Sequence, residues 1–374
     1  MNKDLGPALF EFGGKQYERL DFMLCNPRGL GIVCSHWQPI PSHRHAPILP
    51  CVIYMHGNSS SRLEALPQLS LVLSLGATLV TFDFTGSGQS DGDYVSLGFY
   101  ERDDLQVVIE YLRTSGATST IALWGRSMGA ATAIMHSQRD PSIAGMVLDS
   151  AFASLERLAK DLIDKGRSNG LFAPSIIVSI AISFIRSTVL KKAKFDIKLL
   201  SPIQHVTSCF IPAMFIAAKD DDFVSPKHSQ DMYKLYAGDK NIIIVDGDHN
   251  TLRPKFMYDS VSIFFINVLQ IPTDWLNPEI YVSTTQVPWS KKKNYKINFE
   301  ELGMTTERQN GIVKSLHKTL GNVEARENSV EVSTAVAKMS VDDTLKNVWM
   351  CEVCTFCNNL IYEYCITCNN KRNK

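Results

Sequence analysis

A short motif, Trp124-Gly125-Arg126-Ser127-Met128-Gly129, decides the fold of this chain. It follows the apolar run at 120–123 and precedes small residues at 130–133, so it predicts a strand, a sharp turn and a helix, with Ser127 at the turn. The spacing G-x-S-x-G is that of a nucleophile elbow. Glycine at both outer positions lets strand and helix pass closely, and a serine at a helix N-terminus beside a base can act as a nucleophile. Because so short a motif also occurs by chance, the rest of the chain must support it.

Strand and helix patterns alternate on both sides of this motif. Strand-like apolar runs occur at 17–25, 30–37, 51–55, 78–84, 145–148, 213–217 and 241–245. Helical patterns occur at 63–75, 101–113 and 256–269. Such alternation is typical of a parallel sheet covered by helices. We therefore predict an α/β protein with a doubly wound, mostly parallel sheet, preceded by a hairpin that turns at 26–29.

The composition of the chain changes along its length and predicts three regions. Residues 1–270 are expected to form the α/β domain, with a helical cap at about 152–200 over the C-terminal edge of the sheet. Residues 271–345 lose periodicity and predict a mostly disordered linker. Residues 346–374 hold five of the nine cysteines and predict a small zinc-binding module.

The charges of the chain balance, with 38 Lys and Arg against 38 Asp and Glu in 374 residues. This balance gives no general attraction to nucleic acid or acidic membranes. The N-terminus lacks a signal-peptide core, and the most apolar stretch, 171–185, is short for a membrane span. The cysteine pattern favours a reduced compartment over a disulfide framework. We therefore expect a soluble, cytoplasmic protein without a transmembrane segment, with a nuclear location as the alternative.

Two loops that follow later strand-like runs could complete a catalytic triad with Ser127. One contains Asp220, Asp221 and Asp222, and the other contains His249. In a parallel sheet, the loops at the C-terminal ends of the strands lie along one edge. His249 is therefore predicted to take the proton of Ser127, and an aspartate to orient the imidazole. From their position alone all three aspartates are candidates, and a solvated or cation-binding acidic loop is the alternative.

The predicted reaction also needs hydrogen-bond donors for an oxyanion. One donor is the backbone N–H of Met128, directly after the nucleophile. The other is assigned to Asn58, which follows His56-Gly57 at the end of the 51–55 strand. An ordinary strand-to-loop turn is the alternative for this segment, and its place two strands before the elbow favours the oxyanion role.

Residues from about 20 to 270 resemble the α/β-hydrolase superfamily, in its serine aminopeptidase-like or prolyl-oligopeptidase-like branch. The resemblance rests on five segments in the expected order, at 54–59, 83–90, 125–129, 221–224 and 247–250. It implies hydrolysis of an ester, thioester or peptide bond through an acyl-serine intermediate, with no cofactor needed for catalysis. The family spacing D-x-x-V, completed by Val224, favours Asp221 as the triad acid. The substrate would be a small or acylated molecule, and the apolar cap favours an acyl chain, unless those side chains only pack on the sheet.

The C-terminal cysteines have the spacing of a zinc site, C-x2-C-x10-C-x2-C, formed by Cys351, Cys354, Cys365 and Cys368. Four thiolates suit a structural Zn²⁺. A segment this short cannot bury a stable apolar core, so metal binding would supply its folding free energy. Cys357 is a fifth candidate ligand.

This tail resembles the Ran-binding protein 2-type zinc finger, because Trp349 and Asn358 also stand at the family's positions. Members of that family bind ubiquitin or single-stranded RNA. Thr355 and Phe356 match the ubiquitin-binding members, whereas Thr367 replaces their large apolar residue. RNA is the less supported partner, because the finger has no Lys or Arg between its tryptophan and its last cysteine. The alternative function is therefore a ubiquitin-, RNA- or other protein-binding adaptor, with the hydrolase domain mainly a scaffold.

Overall fold

A computed structural model describes residues 3–168, 170, 175–276, 287–290, 348–350 and 357–359. The strands of its larger unit are β1 (Leu9–Phe12), β2 (Lys15–Cys25), β3 (Gly31–Pro39), β4 (Leu49–Met55), β5 (Thr78–Phe82), β6 (Thr118–Arg126), β7 (Gly145–Asp149), β8 (Ala213–Ala218) and β9 (Lys240–Val245). The helices are α1 (Leu66–Ser74), α2 (Glu101–Thr114), α3 (Met128–His136), α4 (Leu155–Ser168), α5 (Ser175–Ala193), α6 (Pro226–Leu235) and α7 (Lys255–Val268).

These strands form one nine-stranded sheet in the order β1-β2-β3-β5-β4-β6-β7-β8-β9. The pairs from β1 to β5 are antiparallel, and every pair from β5 to β9 is parallel. All residues of the central strand β4 are buried, as expected of a parallel strand covered on both faces. The predicted α/β class with a mostly parallel sheet is therefore confirmed.

Helices α1 and α7 cover one face of the sheet. Trp124 of β6 contacts the ring of Phe265 in α7, with ring centroids 5.7 Å apart. A Cβ atom on Gly145 would lie 2.7 Å from Val268, so only glycine lets α7 approach β7 this closely. The buried side chains of α2 and α3 take no part in the cluster formed by α1 and α7, so they lie on the opposite face. In such folds, ligands bind at the edge of the sheet where the parallel strands have their C-terminal ends.

Two elements of the larger unit, β1 and α6, were not predicted, because their sequences carry weak periodic signals. Strand β1 has only four residues, in which Phe10 and Phe12 are buried and the other two are exposed. Helix α6 buries only His228, Ser229 and Met232, and two of these three are polar. A strand of four residues is too short, and helix α6 is too polar, to show the apolar repeat on which prediction depends.

Aromatic residues after position 270 pack against the first part of the chain. The ring of Trp275 stacks on His45 with centroids 5.0 Å apart. Trp289 packs edge-on against Phe10 at 5.3 Å, and a Cβ atom on Gly6 would lie 2.0 Å from its ring. Trp289 thus packs against β1, and Trp275 packs against the loop between β3 and β4.

The predicted cap contains α4 and α5, followed by a short turn at Ile197–Leu199. Within the described stretches of the chain, no helix has both the length and the apolar character needed to cross a membrane. The cysteines at positions 25, 34, 51 and 209 are free thiols.

The smaller unit is described only as a hairpin. Strand β10 (Val348–Met350) pairs antiparallel with β11 (Cys357–Asn359). The predicted zinc ligands Cys351, Cys354, Cys365 and Cys368, and the predicted partner-binding residues Thr355 and Phe356, lie outside the described residues. The zinc finger therefore stays a prediction.

Candidate active site

Ser127 stands at a strained turn between β6 and α3. Its backbone has φ 51° and ψ −111°, a left-handed conformation that non-glycine residues rarely adopt. The backbone N–H of Ser127 donates to the carbonyl oxygen of Asp149 at 2.7 Å, which ties the turn to the end of β7. The residue is 6% exposed, so its surroundings fix it at the sheet edge.

The two glycines of the motif allow the close packing that this turn requires. A Cβ atom on Gly125 would lie 2.3 Å from the backbone carbon of Gly129. A Cβ atom on Gly129 would lie 2.2 Å from the carbonyl oxygen of Met55. Both distances are far below van der Waals contact, so any larger residue would push α3 away from the sheet.

The structure brings Asp221 and His249 together across the ends of β8 and β9. Asp221 Oδ2 lies 2.7 Å from His249 Nδ1. Its other oxygen, Oδ1, accepts the backbone N–H groups of Phe223 at 3.0 Å and Val224 at 2.7 Å. The Asp221 side chain is 1% exposed and that of His249 is 12% exposed. A carboxylate held by three such bonds can fix one tautomer and one orientation of the imidazole.

The neighbouring aspartates have different surroundings. Asp222 is exposed and pairs with Lys165, and the hydrogen bond and charge of that lysine lower the pKa of Asp222. Asp220 is also exposed. Of the three adjacent acids, Asp221 is the one that contacts His249.

Ser127 lies at the same sheet edge as this pair but is not bonded to it. Strands β6, β7, β8 and β9 are consecutive parallel neighbours, so the loops after them share the C-terminal edge. Among the described residues, the Ser127 hydroxyl makes no hydrogen bond that meets ordinary distance and angle limits, and none joins it to His249. The structure thus pairs Asp221 with His249 and places Ser127 at the end of β6, two strands from β8 along the same edge.

The predicted oxyanion donors occupy the ends of adjacent strands. Met128 is the first residue of α3, where its backbone N–H has no helical acceptor. Asn58 lies in the exposed turn after β4. Strands β4 and β6 are parallel neighbours, with Met55 opposite Gly125, so the two turns start side by side.

His56, which precedes this turn, has a structural role. Its Nδ1 lies 2.7 Å from the carbonyl oxygen of Gly57, and its Nε2 accepts the backbone N–H of Phe84 at 3.1 Å. Burial lowers the pKa of the His56 imidazole. With both nitrogens occupied, His56 joins the turn after β4 to the end of β5.

Glu64 and Arg126 support the site, and sequence analysis assigned no role to either. Glu64 Oε1 accepts the backbone N–H of Gly57 at 3.1 Å, and its Oε2 lies 3.4 Å from Arg126 Nη1. Arg126 Nη2 donates to the carbonyl oxygen of His249 at 2.8 Å and to the side chain of Asn250 at 2.9 Å. Arg126 was visible as a variable position of the elbow motif, but nothing in the sequence indicated its partners.

Arg253 and Asp149 form a buried ion pair beneath the His249 loop. Arg253 Nε lies 3.0 Å from Asp149 Oδ2, and Nη2 lies 2.9 Å from Oδ1. Arg253 Nη1 donates to the carbonyl oxygens of Asp248 and Thr251, each at 3.1 Å. Burial disfavours the guanidinium charge, but the charge and hydrogen bonds of Asp149 outweigh burial and raise the pKa of Arg253.

An apolar cavity of about 250 Å³ lies between α5 and the loop at 94–97. Val189 of α5 and Leu155 of α4 are among its lining residues. Leu155 and Leu97 also pack against the cluster that contains Ala131 of α3 and Val224 of the Asp221 loop. The cavity therefore shares side chains with the cluster that packs against the elements carrying Ser127 and Asp221.

Comparison with known proteins gives matches along the α/β domain. Residues 50–195 match the profile of the family described as serine aminopeptidase, S33, and residues 168–301 match that of the PhoPQ-activated pathogenicity-related protein. The chain is 28% identical over 251 residues to the uncharacterized protein YqkD of Bacillus subtilis, which covers 66% of this chain and 77% of YqkD. It is 26% identical over 227 residues to the lysophosphatidylserine lipase ABHD12 of Danio rerio, covering 57% of this chain and 56% of that protein. The chain thus spans little more than half of this lipase.

Solved structures with the same architecture include esterases. The Pyrococcus furiosus esterase Pf2001 superimposes with a TM-score of 0.53 at 21% identity, covering 72% of this chain and 96% of the esterase. The acetyl xylan esterase of Paenibacillus sp. R4 gives a TM-score of 0.53 at 16% identity, covering 69% and 86%. At these identities the likeness concerns the fold alone. Sheet order, elbow, family profile and structural neighbours agree, and the chain has the α/β-hydrolase fold.

Proposed function

We propose that this protein is a serine hydrolase that cleaves a carboxylic ester through an acyl-enzyme on Ser127. The observation that carries the proposal is the 2.7 Å contact between Asp221 and His249 at the sheet edge where the strained turn presents Ser127. A buried carboxylate on the inner nitrogen of a histidine leaves the outer nitrogen as a base. The comparisons support a hydrolase, and the choice of an ester and the roles of single residues are proposed here.

In the first half of the reaction, Ser127 Oγ attacks the ester carbonyl carbon and passes its proton to His249 Nε2. Asp221 holds Nδ1–H and stabilises the imidazolium that forms. The carbon–oxygen bond of the ester then breaks, and His249 returns the proton to the departing alcohol. The bond from Ser127 to His249 is expected to form when substrate closes the site, because catalytic hydrogen bonds are often long in free enzymes.

In the second half, His249 takes a proton from water, and the resulting hydroxide attacks the acyl-serine. The acid is released and Ser127 regains its proton. In both halves the carbonyl oxygen becomes an oxyanion, which the backbone N–H groups of Met128 and Asn58 would stabilise. No cofactor takes part in this sequence.

The acyl group of the substrate is proposed to be apolar. The cavity beside α5 is lined mostly by apolar side chains and shares Leu97 and Leu155 with the cluster behind the site. Apolar surface buried there would add binding free energy for each methylene group, about 0.8 kcal/mol. Thioesters with such a group fit the same site, since they react by the same addition and elimination.

A fluorophosphonate probe tests the proposed activity on the full-length protein. The probe forms a stable bond with a serine that an adjacent base has activated. We expect wild-type protein to be labelled, and p-nitrophenyl esters to be hydrolysed. Folded wild-type protein that neither reacts with the probe nor cleaves any ester in a panel from acetyl to palmitoyl would refute the proposal.

Substituting Val189→Trp should shorten the acyl chains that the enzyme accepts. The larger ring would fill much of the cavity and exclude a long chain while leaving room for an acetyl group. We expect kcat/KM for octanoyl esters to fall about 10–100-fold and that for acetyl esters to stay within about twofold. Leu190→Trp is the matched control, because Leu190 is the next residue of α5 and is 48% exposed. Equal losses for both chain lengths would show that this cavity does not bind the acyl chain.

We also propose that the C-terminal tail holds one Zn²⁺ through Cys351, Cys354, Cys365 and Cys368. Four thiolates in two C-x2-C pairs are a suitable donor set, and strands β10 and β11 flank the first pair in the chain. The metal would stabilise the folded tail. Metal analysis of the purified protein should give about one zinc per chain, and Cys365→Ser should lose it while ester hydrolysis is unchanged. Zinc-free wild-type protein after expression with zinc would contradict the site.

The zinc-bound tail is proposed to bind a protein partner through Thr355 and Phe356, with ubiquitin as the first candidate. The motif supports this role, and the absence of basic residues in the finger makes RNA the weaker candidate. Titration of ubiquitin into the full-length protein, with Phe356→Ala as the comparison, measures the interaction directly. No observation within the described residues favours an adaptor in place of the enzyme.

A further inference from the structure

The loop that carries His249 has no regular secondary structure of its own. Between the end of β9 at Val245 and the start of α7 at Lys255, the backbone forms only bends and extended segments. Asp248 Oδ1 accepts the backbone N–H groups of Asn250 at 2.9 Å and Thr251 at 2.8 Å, which shapes the turn locally. These local bonds do not determine where the loop lies relative to Ser127. That position depends on contacts with other elements.

Besides the bond from His249 to Asp221, two guanidinium groups provide such contacts. Arg253 binds the carbonyl oxygens of the residues on either side of the histidine turn, at positions 248 and 251. Arg126 binds the carbonyl oxygen of His249 itself and the side chain of the next residue. Four consecutive residues of the loop therefore accept hydrogen bonds from one arginine or the other. Charged donors make the stronger hydrogen bonds in proteins, so these contacts contribute strongly to the placement of the loop.

Both arginines are connected to Ser127, one through the chain and the other through Asp149. Arg126 directly precedes Ser127 in the elbow. Arg253 is bound by the carboxylate of Asp149, whose backbone carbonyl accepts the N–H of Ser127 at 2.7 Å. The serine turn and the histidine loop thus share Asp149 and Arg126 as common supports.

We propose that Arg126 and Arg253 are positioning residues that set the distance and angle between His249 and Ser127. This inference rests on the proposed serine hydrolase function, and it names the groups that make that site competent. Catalysis requires that the base stay within hydrogen-bond reach of the serine, and misplacement by about 1 Å can cost roughly 100-fold in rate. Stability alone explains the arrangement less well, because a buried ion pair is often replaceable by apolar residues without loss.

Substituting Arg253→Lys tests whether Arg253 acts by positioning the His249 loop or only by its positive charge. A lysine keeps the positive charge near Asp149, but its single ammonium cannot reach the carboxylate and two loop carbonyls in the planar geometry of a guanidinium. We expect Arg253→Lys to lower kcat about 10–100-fold for p-nitrophenyl acetate and to lower the rate of fluorophosphonate labelling similarly. KM should stay within about twofold, because the substrate-binding surface is unchanged. Asp149→Asn should give a related loss, and the double variant should lose less than the product of the two.

The matched control is Arg28→Lys. Arg28 also pairs with a buried carboxylate, that of Asp104 at 3.1 Å, but it lies in the hairpin turn after β2. We expect this control to lose some stability while its kcat stays within about twofold of wild type. All rates are measured well below the melting temperature of each variant and per folded molecule. If Arg253→Lys fails to fold, Arg126→Lys decides the question, because Arg126 is 23% exposed and its replacement leaves the buried ion pair intact.

Three results have distinct meanings. Wild-type protein that does not react with fluorophosphonate refutes the proposed function before the arginines are considered. Reactive wild type with unchanged kcat in Arg253→Lys and Arg126→Lys overturns the positioning roles alone. A loss of kcat in Arg28→Lys as large as that in Arg253→Lys would assign the effect to general destabilisation and also overturn them.

Discussion

Ser127→Ala is expected to abolish fluorophosphonate labelling and to lower kcat for ester hydrolysis on the order of 10⁶-fold. The substitution removes the atom that forms the acyl-enzyme, and no neighbouring group can replace it. The protein should stay folded, because among the described residues the Ser127 hydroxyl makes no hydrogen bond that the variant would lose. Labelling on a gel and the rate of release of p-nitrophenol measure both effects.

Ser137→Ala provides the control for that experiment. Ser137 is a buried serine at the other end of α3, where its hydroxyl donates to the carbonyl oxygen of Ile134 at 2.8 Å. It should keep wild-type labelling. Persistent labelling of Ser127→Ala would mean that another nucleophile reacts with the probe, and the acyl-serine mechanism would be wrong.

Asp221→Asn is expected to lower kcat by about 10⁴-fold with little change in fold. The amide is nearly the same size as the carboxylate, but it cannot stabilise an imidazolium and can present a donor where Nδ1–H needs an acceptor. Its oxygen can still accept the N–H groups of Phe223 and Val224, so the loop is expected to keep its shape. Steady-state kinetics with a fluorophosphonate time course measure the loss.

Asp222→Asn and Asp220→Asn test whether the effect belongs to one carboxylate. Both residues are exposed, and Asp222 pairs with Lys165 rather than with the histidine. Their kcat values should remain within about twofold of wild type, because exposed ion pairs contribute little free energy. A large loss in Asp222→Asn with normal activity in Asp221→Asn would reverse the assignment.

Much of this architecture is predictable because it depends on local patterns. The elbow follows from a serine between two glycines after an apolar run. The close approach of Gly125 to Gly129 and of Gly129 to Met55 explains why both glycines are needed. The strands of the parallel region have long apolar runs, since both faces are covered. Once the strands are in order, the loops that carry Asp221 and His249 must lie at one edge of the sheet.

The parts that escaped prediction depend on contacts between distant residues. Arg253 and Asp149 are 104 positions apart in sequence. No local sequence motif links these two residues, so their ion pair can be recognised only in the three-dimensional structure. The same applies to Trp289, whose partner Phe10 belongs to a four-residue strand that was itself not predicted. From their position in the sequence alone the three adjacent aspartates could not be told apart; the family spacing favoured Asp221, and the Asp221 side chain is the one that contacts His249.

The packing of Trp289 against the first strand limits where the α/β domain can be truncated. The ring of Trp289 covers Gly6 and Phe10, so the segment at 287–290 packs against the first strand and the residues before it. A shortened protein that stops at residue 270 would bare that surface and lose Trp275 from beside His45. An expression clone meant to carry the hydrolase domain alone should therefore end no earlier than Ser290, and an affinity tag at the N-terminus should leave the approach to Gly6 clear.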